Sequence, residues 1–427
     1  MSELLALGID IGTSGVRAVV TNRLQQTVAL SATSMAAPER NGDSSTQIAD
    51  IWWQAVCYVL DELRSKIDFG RICALSVDGT SGTIVPLNKN GDPLAPALMY
   101  NDSSAKEAAI HIANVAPPET AAHGATSPLG RALSLQHITG IAHIAHQADW
   151  ILAQFTGHFG LSDENNALKT GYDPVTRTWP EWISALGFDT RLLPTVQPVG
   201  TEVGTVISAI QKRFGFNQST KVMSGTTDGC AAFLATGASE IGDGVTSLGT
   251  TLVIKFLSDK PIFAPQFGLY SHRIGDLWLA GGASNSGGAA LLKFFSAAQM
   301  SALEPKMNVD HPTDLNYYPL LGTGERFPIY DPEMQSRVTP RPPDDAHFLQ
   351  ALLEGVAGVE ALAYRRMADL GGPLLTQVYA VGGGAKNQSW TKIRERLLKV
   401  KMKNPVSEDA AVGAARLAWM GMGAQGL

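Results

Sequence analysis

The chain begins with a short apolar run, Leu4 to Asp10, that stops at a turn, the pattern of a buried strand. Apolar character resumes from Val16 to Thr21 after the turn Gly12-Thr13-Ser14-Gly15, so the two runs predict a hairpin. The period then lengthens. Between Ile48 and Ile67, residues Ile51, Trp52, Ala55, Val59 and Leu60 fall on one face of a helix. A strand is expected at Ile72 to Val77. Alternating strands and helices predict a layered α/β architecture.

The second half shows the same alternation. An alanine-rich helix at 230–238 leads through Ser239 to Asp243, a Gly-containing joint, into a strand starting at Val245. We place the domain boundary at this joint, giving domains 1–240 and 241–427. Residues 303–345 are Pro-rich and aperiodic and predict a long surface excursion. Phe348, Leu352, Val356, Val359 and Ala363 then mark a helix to Leu370, which Asp344 or Asp345 would cap and Gly371-Gly372-Pro373 would end. A strand at Val378 to Val381, a helix at Gln388 to Leu398 and a final Ala- and Gly-rich helix at Glu408 to Met422 complete the reading. Small residues in that last helix would let it lie close to a neighbouring backbone.

Composition narrows the class. With 427 residues, 44% hydrophobic and 17% charged, the chain is an ordinary folded protein of two or three domains. A formal net charge of -6 argues against a nucleic-acid or anionic-membrane surface. The 3 cysteines, Cys57, Cys73 and Cys230, are widely spaced and form no CxxC pair, so a disulfide framework or zinc site is not expected and a reducing compartment fits. The first residues carry no basic segment, and a functional motif already begins at Asp10. The expected location is therefore cytoplasmic.

A near repeat carries the candidate chemistry. Asp10-Ile11-Gly12-Thr13-Ser14-Gly15 is echoed by Asp78-Gly79-Thr80-Ser81-Gly82-Thr83 and, in the second half, by Ser247-Leu248-Gly249-Thr250-Thr251. A hairpin of Gly and Thr offers backbone N–H groups and hydroxyls to phosphate oxygens, and Asp10 beside it is placed for Mg²⁺ held through water. Gly225-Thr226-Thr227-Asp228-Gly229 puts Asp228 at a helix start, where the dipole favours the ionised form a general base needs. Gly382-Gly383-Gly384 with Asn387 follows a strand and permits close approach by a flat ligand such as adenine or ribose. Taken singly, each segment also reads as ordinary structure: a β-turn, an N-cap, a loop. None is a Walker A or GxGxxG loop.

Order and spacing make the larger case. The succession Asp10-x-Gly12-Thr13-Ser14-x-x-Arg17, Gly225-Thr226-Thr227-Asp228-Gly229, Ser247-Leu248-Gly249-Thr250-Thr251 and Gly382-Gly383-Gly384-Ala385-Lys386-Asn387 resembles the FGGY carbohydrate kinases over nearly the whole chain. Val77-Asp78-Gly79-Thr80-Ser81-Gly82-Thr83, Tyr270-Ser271-His272 and Gly281-Gly282-Ala283-Ser284-Asn285 look like the shorter cyanobacterial and chloroplast-type branch, the D-ribulose or xylulose kinase-like enzymes.

The resemblance implies two ribonuclease-H-like domains of the actin and hexokinase superfamily with a cleft between them, the first binding sugar and the second nucleotide. It implies ATP and Mg²⁺ as cofactors and a pentulose as substrate, D-ribulose first and D-xylulose second. A polyol or sugar-acid kinase and a non-catalytic nucleotide switch or sugar sensor stand as alternatives. By this resemblance Asp228 is the catalytic base. Asp10 and Thr13 belong to the phosphate–magnesium hairpin, Gly249 and Thr250 to the second phosphate loop, and Gly382, Gly383, Gly384 and Asn387 to the adenosine loop. Ser14, Gly15, Arg17 and Ser81 contact sugar, together with Asp10 and Asp228. One departure bears on the sugar. Where long family members carry a Trp-x-Asp-x-Arg segment, this chain reads Met99-Tyr100-Asn101-Asp102-Ser103, without the Trp and the Arg.

His143 and His146 share an i, i+3 spacing but have no third ligand with suggestive spacing, so they are expected as helix-surface or packed residues. Trp52 and Trp53 read as core and core boundary, Cys230 as a small buried side chain, Arg365 and Arg366 as solvated helix charge, and Arg326 as a rim or salt-bridge residue.

Overall fold

The structure is a computed structural model that describes residues 3–423. The chain divides into two compact units. One comprises the residues up to Ala235, the short stretch His272–Gly275 and the residues from Asp409 onward; the other comprises Thr236–Ser271 and Asp276–Glu408.

In the first unit the sheet order is Glu202–Thr205, Lys221–Met223, Ile72–Gly79, Leu5–Ile11, Gly15–Asn22, Thr27–Ser34. Leu5–Ile11 is antiparallel to Gly15–Asn22, as the hairpin pattern predicts, and parallel to Ile72–Gly79. Alternation along this strand sets its two faces. Leu5, Leu7, Ile9 and Ile11 join the main core with Trp52, Val56, Val59 and Leu60 of the helix Asp50–Leu63. Ala6, Gly8 and Asp10 face the other way. There the last helix, Ala410–Gly421, lies so close that a Cβ on Gly8 would stand 2.0 Å from the Ala411 carbonyl oxygen. A Cβ on Gly413 would likewise stand 1.8 Å from the carbonyl oxygen of Ala231 in the helix Asp228–Ala235. The small-residue helix is thus used as its composition suggests. It groups with the first unit, where Gly8 of the first strand and its own Gly413 let the backbones approach closely, so the first unit is not contiguous in sequence.

The second unit repeats the frame. Its sheet runs Leu277–Ser284, Leu252–Ser258, Asp243–Leu248, Gln377–Val381, Lys401–Lys403. Asp243–Leu248 is antiparallel to its hairpin partner Leu252–Ser258 and parallel to Gln377–Val381. The long helix Asp345–Asp369 covers this sheet, and Asp344 caps it by accepting from the N–H groups of Ala346 and His347. The Pro-rich excursion is more than surface. Tyr317, Tyr318, Leu320 and Phe327 insert into the core of this unit, which explains how so aperiodic a stretch is held. A buried ion pair fixes the helix Gln388–Leu398. The guanidinium of Arg394 donates from Nε and Nη2 to the two carboxylate oxygens of Glu360, each at 2.7 Å. Thr246 adds a hydroxyl bond to Glu360 at 2.6 Å, so the sheet, the long helix and this helix are tied at one point.

Several bland expectations hold. Trp52 and Cys230 are fully buried and Trp53 packs at the edge of the core. The histidine pair differs from its expected setting, since His143–His146 is a strand rather than a helix. His146 is buried among the Asp149 carboxylate at 2.7 Å and the Ser162 and Thr170 hydroxyls. Arg366 is not simply solvated: it lies 5.3 Å from the Phe267 ring centre and donates to the Pro328 carbonyl. Arg326 is exposed and forms no ion pair among the described residues. No disulfide links the three cysteines, and no helix among the described residues is long and apolar enough to cross a membrane.

Candidate active site

Strand register assembles the acidic end of the first unit. Asp10 is paired with Arg17 on one side and Asp78 on the other, and Asp78 is paired in turn with Thr226. Paired residues point to one face of a sheet, so Arg17, Asp10, Asp78 and Thr226 form a row. Two residues beyond Thr226, Asp228 opens the helix Asp228–Ala235, one of its carboxylate oxygens accepting from the Gly229 N–H at 2.7 Å. Asp409 caps the helix Ala410–Gly421 and meets Arg17 at 3.3 Å. The Thr226 hydroxyl accepts from Asn165 Nδ2 at 3.0 Å, and the same amide holds the Arg273 backbone through both its oxygen and its nitrogen.

The electrostatics of the row are unusual. Burial raises the Asp10 carboxyl to about 6, with Asp228 and Asp409 adding to the effect while contact with Asp78 and the charge of Arg17 oppose it. Asp78 is fully buried, and burial, followed by the charge of Asp10, pushes it well above the ordinary carboxylate range. Its carboxyl lies within hydrogen-bond contact of that of Asp10, and no other group of the protein donates to its oxygens. Without a neighbouring cation, burial therefore favours the protonated, uncharged form of Asp78.

The hairpin beside the row is closed by Gly12 N–H donating to the Gly15 carbonyl at 2.9 Å. Gln47 ties it down through the Thr13 carbonyl, and Met35 N–H through that of Ser14. Thr13 and Ser14 stay accessible.

The segments expected to carry the sugar side are held by residues the sequence reading passed over. Arg131, on the helix Pro128–Leu135, is fully buried, and the charge of Asp102 acts against the burial that disfavours its ionised form. Its guanidinium donates to the carbonyls of Gly82 at 2.7 Å, Leu98 at 2.8 Å and Thr126 at 3.0 Å, and to that of Met99. It therefore joins the Ser81 turn to the segment that lacks the family's Trp and Arg. The Thr83 hydroxyl accepts from Tyr100 N–H at 3.0 Å, and Gln147 accepts from both the N–H and the hydroxyl of Thr80. Asp102 is buried. Burial opposes its ionisation, but hydrogen bonds from Ser104 and Ser45 outweigh it and hold the carboxyl below the usual range.

In the second unit a cavity of about 560 Å³ is lined by Gly249 and Thr250 of the hairpin and by Gly383, Gly384 and Asn387 of the Gly-rich segment. Leu291, Leu292, Met300 and Trp390 supply apolar walls, the setting a flat ring system requires. Gly382 does not line it but shapes it. Its φ of +86° and the 3.1 Å that would separate a Cβ from the Leu248 carbonyl oxygen leave only glycine. Its N–H is taken by Glu408 at 2.9 Å. Asn387 serves as a cap, accepting from Trp390 N–H at 2.6 Å. The structure thus gathers Gly249, Thr250, Gly383, Gly384 and Asn387 in one cavity, and Asp10, Arg17 and Asp228 around one row. Asp78, Asp409, Arg131 and Trp390 were missed as site residues. Only Asp78 had a signal, as the acid heading the second Asp-Gly-Thr-Ser echo.

Among the described residues no three His, Cys, Asp or Glu side chains converge on a closed metal cage. Mg²⁺ keeps several waters and takes one or two carboxylates plus phosphate oxygens. The orphaned oxygens of Asp78 beside Asp10 make the row a fitting place for such a cation.

The model of the FGGY family of carbohydrate kinases, N-terminal domain, matches residues 5–124, and that of the C-terminal domain matches 244–422. A xylulose kinase of Lactococcus lactis is 23% identical over 98% of this chain and 88% of its own length. A gluconokinase of Bacillus subtilis is 24% identical over 96% and 86% respectively. The crystal structure of a xyloylose kinase from Brucella ovis superposes with a TM-score of 0.87 at 23% identity, covering 99% of this chain and 91% of that one. The carboxylate row, the glycine-lined cavity and the two domain matches together place the chain in the FGGY family of carbohydrate kinases, as an ATP-dependent carbohydrate kinase.

Proposed function

We propose that the protein transfers the γ-phosphoryl group of ATP to a primary hydroxyl of a pentulose, with Asp228 as the general base. The observation that carries this reading is Asp228 at a helix start beside a row of buried carboxyls and an accessible Gly-Thr-Ser hairpin. Phosphoryl transfer needs a placed hydroxyl, a base and charge neutralisation at the phosphates. Asp228 accepts the hydroxyl proton. Arg17, Ser14, Gly15 and Ser81 orient the sugar. Gly249 and Thr250 hold phosphates, and Gly382, Gly383, Gly384 and Asn387 shape the adenosine pocket. Asp10, with Thr13, would hold Mg²⁺ through water, and the cation supplies neutralisation of phosphate charge.

D-ribulose is the first candidate, on the Val77-Asp78-Gly79-Thr80-Ser81-Gly82-Thr83 segment that looks like the shorter branch. D-xylulose is the second reading, favoured by the name of the Lactococcus lactis relative. ADP release from Mg-ATP, measured with a panel of ketoses, polyols, aldoses and sugar acids beside a sugar-free control, tests both. Strong stimulation by D-ribulose or D-xylulose is expected. Turnover raised only by gluconate or a polyol would move the substrate class. Turnover raised by no sugar would favour a nucleotide switch or sensor.

A further inference from the structure

We propose that Asp78 is a second acidic anchor for the hydrated cation of the metal–nucleotide complex, acting from beneath Asp10. The inference rests on the reading of Asp10 as the cation-facing carboxylate and extends it to a residue with no assigned role. Parallel register puts Asp78 next to Asp10 on the same face of the sheet. The side chain is fully buried, and apart from the adjacent Asp10 carboxyl no group of the protein donates to its oxygens. Thr226, its neighbour on the far side, accepts from Asn165 Nδ2 with its hydroxyl oxygen and makes no bond to Asp78. Arg17, the cation of the row, is two strands away and engaged with Asp409. What the position lacks is positive charge or a water donor.

A hydrated divalent cation supplies both. Its bound waters are strong donors, and its charge offsets Asp10, Asp78 and Asp228 together. The corresponding place in the second unit has no such demand: there the register pair is Ser247 with Val381. The carboxyl pair is therefore not a requirement of the fold, and its chemistry belongs to the first unit alone.

The test is Mn²⁺ binding to the full chain in the presence of ADP, followed by electron paramagnetic resonance, for wild type, Asp10→Asn and Asp78→Asn. Metal-free ADP binding and thermal melting are measured on the same samples. Asp78→Asn is expected to weaken Mn²⁺ binding about tenfold or more, as outer-shell carboxylates do. Metal-free ADP should bind as in wild type, and the metal-free variant should melt no lower than wild type because an amide at this position can donate to Asp10 without burying an ionisable group. Mn²⁺ affinity within twofold of wild type in Asp78→Asn, with loss in Asp10→Asn, would overturn the inference and leave the kinase reading standing. Failure of wild type itself to bind Mn²⁺ with ADP would overturn both. If Asp78→Asn does not fold, amide exchange over Ile72–Gly79 in wild type with ADP decides. Slower exchange on adding Mg²⁺ is expected, and unchanged exchange rejects the role.

Discussion

The two sheets share a frame and differ in what they place on it. In each, a hairpin built on Gly and Thr joins two antiparallel strands, and a third strand runs parallel to the first. Two residues before the hairpin glycine stands Asp10 in one unit and Ser247 in the other; across the parallel ladder stand Asp78 and Val381. One frame carries carboxyls at helix starts, and the other carries glycine turns around an apolar cavity. The difference teaches that one frame can carry different chemistry at the paired position, and under the proposed function it would divide proton and charge handling on one sheet from nucleotide holding on the other. Buried arginines differ in the same way. Arg394 meets a carboxylate and locks helices, whereas Arg131 meets only carbonyls and locks loops.

That contrast can be broken by mutation. The largest effect is expected at the base: Asp228→Ala should lower sugar phosphorylation about 10³-fold or more while ATP binding persists, and near-wild-type turnover would remove Asp228 from its role. Next comes the loop lock. Arg131→Ala leaves several carbonyls bare and should cost about 3 kcal/mol of stability by urea unfolding, and Arg131→Lys should recover part of it. The sugar KM should rise more than the ATP KM; equal changes would make Arg131 a purely structural residue. In the other unit the sensitivity is steric. Gly382→Ala forces a left-handed backbone on alanine beside Leu248 and should cost about 1–2 kcal/mol, appearing as weaker ATP binding with sugar binding intact.

The smallest effect is a pH dependence within the first unit. Burial, then the charge of Asp149, raises Asp163 to about 6. Between the unfolded value near 4 and this folded value, the native state holds a proton the unfolded chain has lost, so stability falls as pH rises through that window. Wild type should therefore lose about 1–2 kcal/mol relative to Asp163→Asn between pH 4 and 7, and parallel stability curves would deny the shift.

Much of the frame was legible. The hairpin at Gly12–Gly15, the helix behind Trp52, the cap at Asp344 and the close-packing last helix all follow from local periodicity and residue size. The Gly-Thr hairpins and the Gly-rich segment were also legible as turns, because they need backbone conformations that few residue types permit. The excursion at 303–345 was read as surface, since its buried aromatics, Tyr317, Tyr318 and Phe327, have no period to announce them. Arg131 was invisible for a similar reason. A charged residue in a short amphipathic helix reads as solvated until its carbonyl partners are brought to it.

By itself the sequence determined the elements, the turns and the types of chemistry available, because these depend on residues a few positions apart. Tertiary structure alone decided that Asp78 stands beside Asp10, that Arg131 binds the Ser81 turn to the Met99 segment, and that the final helix joins the first sheet. Those outcomes depend on strand register and on which surfaces have room for a backbone. Both are set by packing between distant segments, and local spacing does not encode them.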